Sequence, residues 1–169
     1  MPVTNPQGSP AGGKVDTDAI KAKMNILPKF RPLYETLMTR GLKIADKFMF
    51  PTQPGKQSCI DGPKPPADKL AEGVVTLIYL LWTQSNKTFD PRLVVPVAFG
   101  LTLDLFDKVQ ISDPQEFSAD VLGDAMEKSI GGVMQKFGVA PDQVQQVIQQ
   151  YAASLKASGA NPAQVAPPQ

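Results

Sequence analysis

One stretch near the amino terminus has the spacing of a phosphate-binding loop. Residues 8–14 read GSPAGGK and match the pattern GxxxxGK, in which backbone amides and the lysine surround phosphate groups. The context argues against that chemistry, because Val15 stands where a serine or threonine would bind magnesium and Pro10 lies inside the loop. No apolar strand precedes the loop. We therefore interpret the match as coincidental and predict no nucleotide cofactor.

Two sets of carboxylates have spacings that could support acid–base or metal chemistry. Asp104 and Asp107 lie three residues apart, so that a helix would place them on one face. Asp120, Asp124 and Glu127 form a similar stripe further along the chain. The chain has no histidine, and neither set has an obvious further ligand. We interpret the first pair as a solvated helix end and the stripe as a solvated face, and we predict no metal site.

Covalent catalysis lacks its usual partners in this chain. Cys59 is the single cysteine, and a cysteine nucleophile normally needs a neighbouring base, most often histidine. Serine–histidine chemistry is excluded for the same reason, and no serine is followed by a lysine at the third position after it. The sequence therefore predicts a protein that is not an enzyme. A lone cysteine also permits no internal disulfide, which favours a protein made in a reducing cytoplasm.

Charge is distributed unevenly along the 169 residues, although the net charge is only +1. Residues 1–69 contain eleven basic and six acidic residues, whereas residues 70–169 contain six basic and ten acidic ones. Seven of the basic residues lie in segment 21–47. This segment is interpreted as a solvated helix face, with Lys43 and Lys47 as candidate interaction residues and contact with nucleic acid as a minor alternative.

Hydrophobic periodicity predicts helices throughout, and no stretch has the alternating pattern of a strand. We predict five helices, over residues 33–50, 66–86 and 91–109, then from the capping sequence at 113–116 to 137, and over 141–158. Asp90 followed by Pro91 is a strong helix start, and Pro96 either kinks that helix or delays its start by one turn. Gly131 and Gly132 indicate a bend or a close helix crossing.

The second and third predicted helices form a central apolar hairpin. Their stripes recur at helical spacing and should form the centre of the core. The predicted core residues are Leu70, Val74, Leu77, Ile78, Leu81, Trp82, Leu93, Val97, Leu101 and Leu105. The charge-free run at 73–86 is shorter than the roughly 20 residues that cross a bilayer, so a buried helix is the better interpretation.

The sequence predicts one all-α domain, a compact bundle of about five helices. We predict flexible Pro- and Gly-rich tails at 1–18 and 159–169, a helical domain at 19–158, and a proline-rich connector at 51–66 inside it. The first 18 residues contain no apolar run that would form a signal peptide. The last predicted helix has a glutamine-rich face, on which Gln146 and Gln150 are candidate interaction residues.

The central block at residues 69–109, KLAEGVVTLIYLLWTQSNKTFDPRLVVPVAFGLTLDLFDKV, resembles small helical proteins that are built into the virions of tailed bacteriophages. The likeness consists of the KLA start, an apolar helix that ends in QSNK, the DP helix start and the VVPVA helix that ends near acidic residues. It implies a virion protein made in the host cytoplasm that contacts copies of itself or other virion proteins. Two alternatives are a cytoplasmic adaptor or inhibitor of one protein partner, and a protein whose hairpin inserts into a membrane after a trigger.

Overall fold

A computed structural model of the chain describes residues 15–22, 24, 26–50, 63–86, 89–112 and 115–140, together with 142, 145, 146, 148, 149 and 153. The described residues form α-helices joined by turns, with no strand among them. The all-α prediction is confirmed. The helices are α1 (Thr17–Ala22), α2 (Arg31–Phe48), α3 (Pro66–Gln84), α4 (Pro91–Ser112) and α5 (Ala119–Lys136).

Proline and aspartate set the starts of the long helices. Pro32, Pro66 and Pro91 all lie in a first helical turn, where a missing amide hydrogen costs nothing. The predicted cap at Asp90 is confirmed, because its carboxylate accepts a 2.9 Å hydrogen bond from the Arg92 amide. Helix α4 then continues through Pro96, so the predicted delay of its start is wrong.

Helix α5 begins later than its capping sequence predicts. Gln115 and Glu116 lie in a turn, and the buried Phe117 packs edge-on against Phe106 with ring centroids 6.4 Å apart. The helix begins only at Ala119, because the Phe117 side chain is packed in the core.

The end of α5 matches its prediction. Gly138 has a φ of +78°, and the Val139 amide bonds the Met134 carbonyl at 2.9 Å. The Gly138 amide bonds the Gln135 carbonyl at 3.0 Å, which completes a Schellman cap.

The amino-terminal segment packs on α4, although the sequence assigned residues up to 18 to a tail. The Gln110 side chain acts as a clamp: its oxygen accepts from the Val15 amide and its nitrogen donates to the Val15 carbonyl, both at 3.1 Å. Lys21 pairs with Asp104, and Ile20 is 3% exposed. The packed structure therefore begins before the predicted boundary at residue 19.

The pair α3–α4 is the centre of the bundle, and both α2 and α5 pack against it. Nine of the predicted core side chains are at most 2% exposed, namely Leu70, Val74, Leu77, Ile78, Leu81, Leu93, Val97, Leu101 and Leu105. Burial of each such side chain contributes about 1.5–3 kcal/mol before conformational entropy is counted. The tenth, Trp82, is half-buried and packs edge-on against Phe137 with centroids 5.4 Å apart.

Glycines lie where the helices approach most closely. A Cβ at Gly132 would come within 2.8 Å of the Val75 side chain, so the predicted close crossing lies between α5 and α3. A Cβ at Gly41 would lie 2.9 Å from Leu101, and one at Gly100 would collide with the Tyr34 hydroxyl. These contacts are tighter than packed side chains normally permit, so larger residues would push α2 or α5 away from the pair.

Several sequence predictions lie outside the described residues. They are most of both predicted tails, the part of the connector at 51–62 that contains Cys59, and much of the predicted last helix. Within that helix, residues 142, 145, 146, 148, 149 and 153 are helical, and Ile148 is 9% exposed and belongs to the core.

Substituting valine at Gly100 tests the α2–α4 crossing. We expect Gly100→Val to lower the free energy of unfolding by about 1–3 kcal/mol, because the new side chain meets Tyr34 and lies within 2.9 Å of Met38 Sδ. Urea denaturation measures the loss. Adding Tyr34→Phe should recover part of it, whereas Ile111→Val on the exposed face of α4 should change stability by less than about 0.5 kcal/mol. An unchanged stability of Gly100→Val would contradict the crossing.

Substituting leucine at Gln110 tests the clamp on the amino-terminal segment. Gln110→Leu keeps the volume but removes two hydrogen bonds to Val15, so we expect a loss of about 1–3 kcal/mol. Hydrogen exchange should show reduced protection of the Val15 amide. Gln135→Leu, at an exposed position of α5, is the matched control. Equal effects of the two substitutions would show that the clamp does not stabilise the bundle.

Candidate interaction surface

The outer face of α2 carries a stripe of cations. Arg40, Lys43 and Lys47 are exposed and lie within about 60° of one another around the helix axis, at 3.6 residues per turn. None of the three forms an ion pair with any residue that the structure describes. On the flank of the same helix, by contrast, Asp46 pairs with Lys108 of α4. We call these three residues the basic stripe.

Large apolar side chains accompany the basic stripe. Leu33 is 43% exposed and Phe48 is 40% exposed. Leu33 precedes Leu37 by one turn and lies at the amino-terminal end of α2, before the buried face that runs through Leu37, Met38 and Ala45. Exposed apolar groups beside charged ones are typical of surfaces that bind another protein.

A second charged face lies on α5. Asp120 is exposed, and Asp124 and Glu127 are partly exposed on the same side of that helix. We call these three residues the acidic stripe. Lys128 bonds Asp124 at 2.9 Å and also pairs with Asp68 of α3, so it links the two helices. The predicted solvated face with a nearby lysine is thus also a point of contact between α5 and α3.

A groove of about 450 Å³ runs between α3 and α5 beside the acidic stripe. The lining residues are Asp68, Ala71, Glu72, Val75, Thr76, Lys128 and Gly132. The groove is therefore lined by both small or apolar side chains and charged ones.

The carboxylate pair on α4 is held by structural contacts. Asp104 pairs with Lys21, and its side chain is only 19% exposed, so its interpretation as a solvated helix end is wrong. Asp107 accepts a 3.1 Å hydrogen bond from the Gln110 amide group. Both carboxylates help to hold the amino-terminal segment on α4. The residues of that segment lie more than 80 positions before their partners on α4 in the sequence.

Sequence reasoning missed an ion pair in which the lysine is buried and the glutamate is exposed. Lys69 is 6% exposed and lies 3.2 Å from the Glu116 carboxylate. The pair joins the start of α3 to the turn that precedes α5. A lysine beside Leu70 within the apolar block was the available signal, because a buried lysine requires an acidic partner.

The remaining candidate interaction residues lie apart from the basic stripe in the sequence. Gln146 is exposed and helical, and Gln150 lies outside the described residues. Of the other basic residues in segment 21–47, Lys29 stacks over the Phe30 ring at 5.0 Å, and Lys23 lies outside the described residues. Lys29 and Arg31 also form no ion pair with a described residue, but they precede the basic stripe by more than two helical turns.

The described residues contain no group of three or more cysteine, aspartate or glutamate side chains arranged to hold a metal ion. None of the described helices combines the length and the apolar character needed to cross a membrane. Comparison of the chain with protein-family models, with curated proteins and with solved structures gives no match.

The link through Lys128 gives a testable dependence on pH. Its hydrogen bond to Asp68, followed by that to Asp124, raises its pKa above the ordinary value of 10.5. Because the pKa of Lys128 is higher in the folded state than in the unfolded state, the contribution of its ion pairs to stability is complete below the unfolded-state pKa. That contribution is lost as the pH rises through the raised pKa of the folded state.

We therefore expect Lys128→Met to reduce the free energy of unfolding by less than about 1 kcal/mol near pH 7, because both ion pairs are partly exposed. Urea denaturation at a series of pH values should show that the difference from wild type disappears only in strong alkali. Lys43→Met, at an unpaired exposed site, serves as the control. A difference that disappears near neutral pH would show that another group is responsible.

Proposed function

We propose that this chain is a non-enzymatic structural or assembly protein of a virion that acts through protein–protein contacts. An internal, ejected or neck-associated position would suit it. The observation that supports the proposal most directly is the basic stripe with Leu33 and Phe48 beside it. Three cations without acidic partners in the described structure, next to exposed apolar groups, form a surface suited to contact with another macromolecule.

The resemblance of the central block to virion proteins supports the same proposal. In the folded chain this block forms α3 and α4, whose side chains are mostly buried. The block therefore serves as the scaffold, and binding falls to the helices that cover it. A small helical protein with one buried hairpin and two charged outer helices suits repeated packing in a particle.

A cytoplasmic adaptor or inhibitor is the second candidate, and the same surface supports it. An acidic host protein could occupy the basic stripe as readily as a virion protein could. The two functions differ in where the chain is found after infection. Triggered insertion of the hairpin remains a third prediction, and it would require α3 and α4 to separate from α2 and α5.

Mass spectrometry of gradient-purified particles tests the proposal. We expect the chain to co-purify with particles at a constant ratio to the major capsid protein, while a replication enzyme from the same infected cells is absent. Lys43→Glu with Lys47→Glu should reduce incorporation, because it reverses the charge of the basic stripe. Lys29→Glu with Arg31→Glu makes the same change of charge outside the stripe and should not.

Absence from purified particles would contradict the proposal. A stable complex with one host protein in the soluble fraction, together with that absence, would establish the adaptor function instead.

A further inference from the structure

The two charged stripes match each other in spacing as well as in sign. Along α2 the cations lie at positions 40, 43 and 47, with steps of three and then four residues. Along α5 the carboxylates lie at 120, 124 and 127, with steps of four and then three. If one helix runs antiparallel to the other, the steps coincide. Arg40 then faces Glu127, Lys43 faces Asp124 and Lys47 faces Asp120.

The two stripes also agree in length and in angular width. Each stripe spans seven residues, or about 10.5 Å at 1.5 Å per residue. Each occupies one side of its helix within about 60°, so all three members can face one partner helix at once. Both stripes lie on regular α-helices throughout.

The basic stripe and the acidic stripe do not pair with each other within one chain. Helices α2 and α5 both pack on α3–α4 but share no substantial contact with each other among the described residues. Glu127, like the basic stripe, forms no ion pair in the described structure. Complementary stripes that cannot meet within one chain can meet between two copies.

We propose that the basic stripe on α2 of one copy docks antiparallel on the acidic stripe on α5 of a second copy. The inference rests on the proposed function, since it names a copy of the same chain as one partner in assembly. Asp124 is shared in this arrangement between Lys128 of its own helix and Lys43 of the neighbour. Lys128 keeps Asp68 as a partner.

The same register supplies an apolar contact. Seven residues before Arg40, Leu33 falls at the level of Met134, one half-turn beyond Gly132. That level of α5 is close to the groove, whose lining includes Val75 and Gly132. Burial of the exposed Leu33 side chain there would add an attraction that does not depend on salt.

The proposed contact is head-to-tail, because two different surfaces meet. Each copy in a pair retains one unused stripe, so the contact generates a ring or an open chain. Surface ion pairs are individually weak and are screened by salt. We therefore expect free chains to associate weakly and reversibly, with stronger association where many copies are held close together, as in a particle.

Sedimentation velocity on the purified full-length chain tests the inference. Wild type should form oligomers larger than dimers as its concentration rises, and raising the salt from about 0.1 M to about 1 M should weaken them. Arg40→Glu with Lys43→Glu should weaken association at least about tenfold, because like charges then face each other. Asp124→Lys with Glu127→Lys should weaken it to a similar extent.

The decisive sample is an equimolar mixture of the two double variants. The reversed stripes are complementary to each other, and so are the two unreversed stripes, so the mixture should form alternating oligomers like those of wild type although each variant alone stays largely monomeric. Lys29→Glu with Arg31→Glu is the control and should associate like wild type. Circular dichroism and urea denaturation establish that each variant is folded, so that a loss of association reports on the surface.

A monomeric wild type at every concentration and salt would overturn the inference, as would failure of the mixture to associate. Self-association unaffected by Arg40→Glu with Lys43→Glu would also overturn it. If that variant instead lost salt-dependent binding to a mixed-sequence DNA duplex, the basic stripe would be a nucleic-acid contact. Presence in particles without self-association would leave the proposed function in place and remove only this partner.

Discussion

Burial of the apolar α3–α4 pair determines how the other helices are arranged. Leu77, Ile78, Val97 and Leu105 are fully buried, so this pair must be covered by other helices to be stable in water. Coverage by α2 and α5 uses one face of each, and glycines at the crossings let them approach closely. The ion pair between the buried Lys69 and Glu116 and the clamp at Gln110 then attach the connecting segments to the same centre.

The need to bury α3 and α4 gives the helices different roles. Helices that form the centre have little surface left for binding, whereas the outer faces of α2 and α5 present the basic stripe and the acidic stripe to a partner. The unequal distribution of charge along the sequence thereby becomes a separation in space, with a basic stripe on α2 and an acidic stripe on α5. This separation connects the fold to the proposed function, because complementary outer faces favour ordered association.

Much of the fold could be predicted from the sequence, because apolar periodicity and local helix signals act over short distances. The hairpin, the cap at Asp90 and the stop at Gly138 all depend on residues within one or two turns. The start of α5, the partner of Asp104 and the clamp on Val15 could not be predicted, since each depends on a contact between distant segments. For the candidate surface, Lys43 and Lys47 were recognisable as exposed cations, but their lack of acidic partners required the packed structure.

Carbodiimide cross-linking of a mixture of isotope-labelled chains tests whether α2 of one copy contacts α5 of another, because the reagent joins only amines and carboxylates that already touch. Equal amounts of ¹⁴N- and ¹⁵N-labelled chains would be mixed, cross-linked and digested, so that peptides joined between copies carry one label of each kind. Docking of the basic stripe on the acidic stripe should give mixed-label products that join Lys43 to Asp124 and Lys47 to Asp120. Mixed-label products confined to other pairs of residues, or cross-links found only within single chains, would contradict it.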